Sequence, residues 1–211
     1  MAELLRVSAD NPEPRPIEHA AQLIRRGEVI AVPTDTFYGL AADPFNLAAV
    51  ARIYEIKGRA ERKALPILVA SLEQAQELAG DLPDSFFPLA ERFWPGALTL
   101  VVKASSRVPL KVTGNTGRVA LRLPNSKIPC ALIAAAGTPL TGTSANLSGF
   151  AACVDATQVV KQMGERLPLV LDGGRSKALL ASTVIELRGE EWTVLREGPI
   201  SEAEIRAALG G

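Results

Sequence analysis

Short apolar runs alternate with amphipathic segments along this 211-residue chain, and this alternation constrains its fold more than any other feature. Residues 29–32 (VIAV) end at Pro33 and are typical of a strand that is buried on both faces. The next segment, Leu47–Lys57, follows Asn46, a good helix N-cap, and stops at Gly58, a natural residue for a helix end. Interleaved strands and helices predict an α/β fold.

The same reasoning predicts the remaining elements. Further strands are expected at residues 66–70, 97–103, 119–123, 167–171, 183–187 and 192–195, and further helices at residues 17–26, 72–79, 85–93, 128–136, 156–163 and 202–209. The close spacing of the last strands indicates hairpins, so we expect a mixed, twisted sheet flanked by helices. We find no repeat, low-complexity tract or linker, which predicts a single domain over residues 1–211.

Charge and composition exclude several function classes. Lysine plus arginine equals aspartate plus glutamate at 23 each, so no global field steers the chain towards nucleic acid or an anionic membrane. An anion-binding site must therefore be local. Cys130, Cys153 and the single histidine, His19, do not form a usual zinc set, so no protein-held metal is predicted. The sequence shows neither a signal peptide nor the roughly 20 apolar residues of a spanning helix, which predicts a cytoplasmic protein.

Two polar segments follow the predicted strand at residues 29–32 and the predicted helix at residues 47–57. Residues 33–40 (PTDTFYGL) offer hydroxyls, including those of Thr34 and Tyr38, at a strand end, where α/β sheets commonly bind ligands. Residues 57–63 (KGRAERK) hold Lys57, Arg59 and Lys63, and such cations can clamp phosphate oxygens. A polar turn for the first segment and a solvated charged loop for the second remain open alternatives.

Arg122 lies within residues 119–124 (VALRLP), where alternation places it on the face opposite Val119 and Leu121. It either meets solvent or lies in a polar pocket. A buried guanidinium cannot be neutralised by losing a proton, so a pocketed Arg122 would need an anionic partner, for which a substrate carboxylate would serve.

Later segments add hydroxyl, amide and guanidinium groups. Residues 141–149 (TGTSANLSG) form a small-residue loop that includes Ser144 and Asn146, although loops of this composition are often plain turns. Ser182 begins an apolar strand, and Arg196 follows another strand. The chain contains neither GxxxxGK[ST] nor GxGxxG, so a bound nucleotide would not be held by either familiar phosphate loop.

In combination and order, these segments resemble the YrdC-like family of threonylcarbamoyl-AMP synthases from about residue 20 to 201. The shared motifs are PTDTFYGL, KGR, FWPGALTLV, VALRLP, GTSANLSG, STVIEL and VLREG. The resemblance implies an α/β domain with an open, positively charged cavity over its sheet. It also implies that L-threonine, bicarbonate and ATP, with Mg²⁺, give threonylcarbamoyl-AMP and pyrophosphate. A partner transferase complex would then use that product to modify adenosine 37 of tRNA.

The resemblance also implies residue roles. Lys57 and Arg59 would act on the phosphates as catalytic residues. Threonine would be bound by Thr34, Tyr38, Arg122 and Ser182, and ATP by Lys57, Arg59, Lys63, Ser144, Asn146 and Arg196. The chain departs from many relatives at Arg118, where a small hydroxyl residue is common, and it lacks their histidine after the KGR strand. Because some relatives bind double-stranded RNA, a double-stranded RNA-binding module without synthase activity is the alternative function.

Overall fold

The computed structural model describes residues 1–58 and 63–210. Over these residues the chain forms two mixed sheets with helices packed against them. The predicted α/β class with mixed strand directions is confirmed, and the strands are divided between two sheets where one was expected.

The first sheet has five strands within the described residues. In spatial order they are β1 (Glu3–Arg6), β9 (Leu169–Asp172), β2 (Ile30–Val32), β3 (Gly39–Ala41) and β8 (Thr143–Ser144). β1, β9 and β2 are parallel, whereas β3 is antiparallel to both β2 and β8. All three residues of β2 are buried, as the unbroken apolar run predicts.

The second sheet contains the strands predicted at residues 66–70, 97–103, 119–123, 183–187 and 192–195. In spatial order they are β11 (Glu191–Arg196), β10 (Thr183–Arg188), β5 (Leu98–Lys103), β6 (Arg118–Arg122), β4 (Ile67–Leu68) and β7 (Leu140–Thr141). β10 and β11 form the expected antiparallel hairpin, while β10 is parallel to β5. On β10, Thr183, Ile185 and Leu187 face the core, so the alternate side chains lie on the sheet's other face.

The helices confirm the helical periodicity of the sequence. They are α1 (Pro14–Arg25), α2 (Leu47–Lys57), α3 (Leu72–Leu78), α4 (Phe86–Phe93), α5 (Lys127–Ala136), α6 (Ala156–Met163) and α7 (Glu202–Ala208). α1 begins three residues before the predicted start, at Pro14, because proline fits the first turn of a helix, where its missing N–H is not needed. None of the helices in the described ranges combines the length and apolar character that crossing a membrane demands.

The core consists of two apolar clusters. The smaller one lies where α1 and α5 pack together against the first sheet, with Ile17, Ile24 and Leu132 fully or almost fully buried. The larger one joins α2, α3 and α4 to both sheets and includes Ile53, Phe86 and Leu100. Both sheets therefore pack against the larger cluster. The face of the second sheet that does not pack against this core lines a cleft.

Candidate functional site

A cleft of about 490 Å³ opens over the second sheet, within the roughly 300–1,000 Å³ typical of small-molecule sites. Both sheets contribute to it: Gly39 and Ser144 come from the first, and Thr99, Arg122 and Val184 from the second. Among the predicted site residues, the lining includes Thr34, Tyr38, Arg122, Ser144, Ser182 and Arg196. The cleft therefore brings together residues from the first sixth and the last tenth of the chain.

Strand register arranges the floor of the cleft. Ala120 of β6 lies opposite Val101 of β5, and Val101 lies opposite Glu186 of β10, so these three residues form one row across the sheet. Val184, two residues before Glu186 on the same face, extends the small apolar surface. Because Arg118 and Arg122 lie at either end of β6 on this face, the floor has an apolar centre with charged ends.

Arg122 is a buried cation with three protein partners. Its Nε donates to the carbonyl of Gly96 at 2.9 Å, its Nη1 donates to Thr36 Oγ1 at 2.8 Å, and its Nη2 lies 2.7 Å from Asp35 Oδ1. Burial lowers the pKa of the guanidinium, and Asp35 counteracts part of that effect. The anionic partner that a pocketed Arg122 requires is thus already supplied by Asp35. Two of its five N–H groups donate hydrogen bonds, and the buried Nη2 pairs with Asp35 by charge without a hydrogen bond, so three N–H groups make no hydrogen bond within the described residues.

The hydroxyl of Thr34 is saturated by its own segment. Its Oγ1 donates to the carbonyl of Phe37 at 2.7 Å and accepts from the backbone N–H of Thr36 at 3.1 Å. Thr36 Oγ1 accepts from Arg122, and it lies 3.1 Å from Thr34 Oγ1, to which it can donate its own proton. A hydroxyl has one donor and two acceptor sites, so all of those on Thr34 are occupied. Its predicted contact with threonine stays a prediction, and a hydroxyl contact would require an exchange of partners.

Arg196 is held over the start of β10 by Ser182. Its Nε and Nη2 donate to the carbonyl of Ser182 at 3.0 and 2.8 Å, and Nη2 also donates to Ser182 Oγ at 3.0 Å. Ser182 Oγ lies 2.8 Å from Thr99 Oγ1. Gly198 permits this arrangement, because a Cβ there would lie 2.4 Å from the carbonyl oxygen of Ala181.

The guanidinium groups of Arg122, which is buried, and Arg196, which is more exposed, repel each other. The pKa of Arg196 is lowered by burial and then by the positive charge of Arg122. Among the described lining residues there are four arginines, Arg118, Arg122, Arg188 and Arg196, against one carboxylate, Glu186. Even with Asp35 counted, positive charge is in excess. An anion in the cleft would relieve this repulsion.

Arg118 is tied to Glu186 and to backbone oxygens. It forms an ion pair with Glu186 and donates through Nη2 to the carbonyls of Leu187 and of Val101, the latter at 3.3 Å. Arg188 donates to the same carboxylate oxygen of Glu186 at 3.0 Å. Arg118 therefore braces strands β5, β6 and β10 beside the cleft and does not face open water.

Lys57 lies behind the loop of residues 142–149. Its Nζ donates to the carbonyl of Ser144, to that of Asn146 at 2.9 Å and to Asn146 Oδ1 at 3.4 Å. Asn146 Nδ2 in turn donates to the carbonyls of Leu147 and Phe150 at 2.9 and 2.7 Å. Neither Lys57 nor Asn146 belongs to the described lining, so the structure uses them to shape the loop that presents Ser144. Their predicted contacts with phosphate stay predictions.

The other predicted residues lie at the wall and the edge. Tyr38 is buried and donates its hydroxyl to the carbonyl of Gly174 at 2.6 Å, and burial raises its pKa well above its usual range. Lys63 is exposed next to Ala64, which lines the cleft. Arg59 lies outside the described residues.

Sequence reasoning named the segment of Thr36 and the strand of Glu186 without assigning either residue to the site. Glu186 and Val184 share a face of β10, so the alternation of STVIEL carried a usable signal. Asp35 and Arg122 are 87 positions apart in the chain, so no local sequence pattern could predict that they form a pair. In the described part of the chain, no three His, Cys, Asp or Glu side chains gather into a metal site.

Fold and site define the general class: an α/β protein with a polar, arginine-lined ligand cleft over a mixed sheet. Residues 22–198 match the family model for Sua5, YciO and YrdC proteins, whose description reads "Telomere recombination". The chain therefore belongs to the Sua5/YciO/YrdC family, which confirms the resemblance drawn from its motifs.

Similar proteins agree with this assignment. The chain is 40% identical over 196 residues to the threonylcarbamoyl-AMP synthase of Pyrococcus abyssi, covering 92% of this chain and 57% of that protein. It is 37% identical over 206 residues to the threonylcarbamoyl-AMP synthase of Bacillus subtilis, covering 97% of this chain and 58% of that protein. The chain thus spans less than two thirds of these relatives' length. It superposes on P. abyssi Sua5 complexed with L-threonine with a TM-score of 0.95 and 37% identity, over 99% of this chain and 61% of that one.

Proposed function

We propose that this protein is a threonylcarbamoyl-AMP synthase. One observation carries the proposal: four arginines, with hydroxyl groups from both sheets, converge on one cleft with unbalanced positive charge. Relatives that share 37–40% of its sequence bear the name of this enzyme, and a solved relative of the same fold binds L-threonine.

The reaction would proceed in two steps. The amine of L-threonine and bicarbonate form an N-carboxylated threonine, with loss of water. An oxygen of the new carboxylate then attacks the α-phosphorus of ATP. The bond between the α-phosphorus and the oxygen leading to the β-phosphate breaks, and pyrophosphate leaves. This chemistry needs no protein nucleophile, so binding, orientation and charge stabilisation are the main contributions of the chain.

The geometry supports giving these contributions to particular side chains. The N–H groups of Arg122 that make no hydrogen bond would donate to the carboxylate of threonine, as a paired hydrogen bond. Burial and then the nearby charge of Arg122 lower the pKa of Arg196, so the two side chains are close together. The charge of Arg196 would therefore stabilise a phosphoryl group beside that carboxylate. Ser144 would offer a hydroxyl from the loop that Lys57 holds in place.

Magnesium would enter with ATP. Mg²⁺ is usually bound through substrate phosphates and one or two carboxylates, and the described residues provide no cluster that would hold it alone. The donor set therefore fits a metal that accompanies the nucleotide. When bound, Mg²⁺ would neutralise part of the phosphate charge, while the arginines of the cleft act on the rest.

The product would be passed to a threonylcarbamoyl transferase complex that modifies adenosine 37 of tRNA. A cytoplasmic location follows from that partnership and belongs to the same proposal. The alternative, double-stranded RNA binding without synthesis, predicts contacts over an extended basic face. The observed charge excess lies inside a cleft of small-molecule size, which favours the enzyme.

A single assay tests the function. Purified protein is incubated with ATP, Mg²⁺, bicarbonate and L-threonine, and both pyrophosphate and an AMP conjugate of threonine are measured. We expect both products to need all of the substrates. Pyrophosphate release that ignores threonine would contradict the proposed substrate, and RNA binding without either product would favour the alternative.

A further inference from the structure

Glu186 is the single carboxylate among the described residues that line the cleft. It lies on β10 with 15% of its side chain exposed, at the end of the row formed with Val101 and Ala120. Across that row the sheet spans two strand spacings, about 10 Å. An acidic side chain thus borders a small apolar shelf in a cleft that is otherwise rich in hydrogen-bond donors.

The carboxylate is held through one of its oxygens. The ion pairs with Arg118 and Arg188 both end on Oε1. Within the described residues no hydrogen bond or ion pair reaches Oε2, and this atom is not among the buried polar atoms that lack a partner. Oε2 is therefore an acceptor that is not fully buried, on a side chain that lines the cleft and whose movement the ion pairs to Oε1 restrict.

The chemistry of Oε2 restricts what it can bind. An ionised carboxylate only accepts hydrogen bonds, and so do phosphate oxygens, so Oε2 needs an N–H or O–H donor. In a nucleotide such donors are found on the base and the sugar. The neighbouring shelf of Ala120, Val101 and Val184 consists of small apolar side chains on adjacent strands, which suits the face of a base.

We propose that Glu186 determines nucleotide specificity: its Oε2 accepts a hydrogen bond from an N–H or O–H group of the nucleoside, while the base lies on the shelf of Val101, Ala120 and Val184. This inference rests on the proposed use of ATP and adds the position of the nucleoside. Arg118 and Arg188 act as positioning residues, because they hold Oε1 and leave Oε2 directed at the ligand.

The test compares the binding of ATP, 2′-deoxyATP, 3′-deoxyATP and the triphosphate of purine riboside, which lacks the exocyclic amine, by calorimetry with Mg²⁺. We expect the wild type to bind one kind of analogue at least about 10-fold more weakly than ATP. Weaker binding of a deoxy analogue identifies a sugar hydroxyl as the donor, and weaker binding of the purine riboside identifies the amine.

Glu186→Gln reverses the hydrogen-bonding character of the site. The arginines would hold the amide oxygen, so an NH₂ group would occupy the position of Oε2 and face a ligand donor. We expect ATP to lose about 10-fold or more in affinity, so that ATP and the discriminated analogue bind alike. Glu191→Gln, an exposed position on the adjacent strand β11, is the matched control and should keep the wild-type order of affinities.

Several outcomes overturn the inference. One is a wild type that binds all four nucleotides within twofold, a result that needs no variant to fold. A second is a Glu186→Gln variant that keeps the wild-type preference. A third is a Glu186→Gln variant that loses the same affinity for every nucleotide and regains it at a higher Mg²⁺ concentration. That result would mean that the carboxylate binds the metal. Synthesis of threonylcarbamoyl-AMP by the wild type is measured in a separate assay. If no product forms there, the proposed enzyme function is contradicted, whereas the binding results above test only the role of Glu186.

Discussion

The guanidinium of Arg122 is buried beside an almost equally buried carboxylate, and the energetics of the site depend on both charges. A buried ion pair returns little net stability, but removing one partner leaves an uncompensated buried charge. Thr36 and the carbonyl of Gly96 complete the coordination of Arg122, so the side chain has little rotational freedom. Pre-orientation of this kind lowers the entropy lost when a carboxylate binds.

Arg122→Gln should separate folding from binding. We expect a loss of about 3–5 kcal/mol in the free energy of unfolding, because Asp35 is left without its partner. The double variant Asp35→Asn/Arg122→Gln should recover most of that loss, since no buried charge remains. Neither variant should bind L-threonine as the wild type does. Urea denaturation and calorimetry measure the two effects, and a double variant with wild-type threonine affinity would refute the role of Arg122.

Tyr38 and Cys153 are neighbours, and the pKa values of the Tyr38 hydroxyl and the Cys153 thiol are both higher in the folded than in the unfolded state. The backbone N–H of Tyr38 donates to the carbonyl of Cys153 at 3.0 Å. Burial raises the pKa of the Cys153 thiol to about 11, and burial also raises the pKa of Tyr38 well above its usual range. Since both folded pKa values are raised, their contribution to stability is complete below the unfolded pKa values and is lost as pH rises through the folded ones.

Stability should therefore be insensitive to these groups at neutral pH and fall clearly from about pH 9 upwards, where about half of the unfolded thiol is ionised. Cys153→Ala and Tyr38→Phe should each make the alkaline decline shallower. Urea midpoints measured from pH 7 to about pH 11 test this. An unchanged slope in both variants would show that other groups control the alkaline transition.

At the level of elements, the sequence predicted best what local chemistry determines. Helix α2 matches its predicted bounds, because the Asn46 side chain accepts from the N–H groups of Ala48 and Ala49 and Gly58 adopts a left-handed conformation at the end. The strands β1, β3, β7 and β8 were not predicted. They have two to four residues each and form only because a partner strand lies alongside, a fact that a local window does not contain.

The loop between β7 and α6 depends on such a distant contact. Gly142 separates β7 from β8, and a Cβ there would lie 2.6 Å from Leu68 Cγ, so only glycine allows the loop to cross β4 this closely. Behind it, the ammonium of Lys57 at the end of α2 bonds to the carbonyls of Ser144 and Asn146. A cation that pattern analysis assigned to phosphate thus also has a role in holding the loop.

Lys57→Met should loosen this loop in the protein without nucleotide. Loss of the ammonium leaves buried carbonyls without a donor, at a cost of about 1–3 kcal/mol. We expect faster amide hydrogen exchange at residues 143–149 and little change in α1 or α5, which lie in the other cluster. Lys161→Met removes an exposed lysine from α6 and is the matched control. Unaltered exchange in Lys57→Met would contradict a structural role for this lysine.

At the scale of the whole molecule, the site exists only because the two sheets meet. The motifs indicated which segments matter, but their convergence is a property of the packed core, which no single segment encodes. Arg122 and Arg196, from different strands, line the same cleft, and the charge of Arg122 adds to burial in lowering the pKa of Arg196. Two cations held together by the fold store repulsion that an anion can relieve, so ligand binding and global stability should be coupled.

Pyrophosphate, the expected product, is a suitable probe of that coupling because its binding requires no turnover. A ligand at about 100 times its Kd adds about 2.7 kcal/mol to stability, which for a chain of this size corresponds to a rise in Tm of about 5–11 °C. Sodium chloride at equal ionic strength should not reproduce the rise, because it screens the arginines without bridging them. Arg196→Ala should reduce the rise, whereas Arg107→Ala, which removes an exposed arginine paired with Glu77, should preserve it. Binding of pyrophosphate between Arg122 and Arg196 would relieve their repulsion and so stabilise the folded state. If pyrophosphate leaves the Tm of the wild type unchanged, the cleft does not bind this anion.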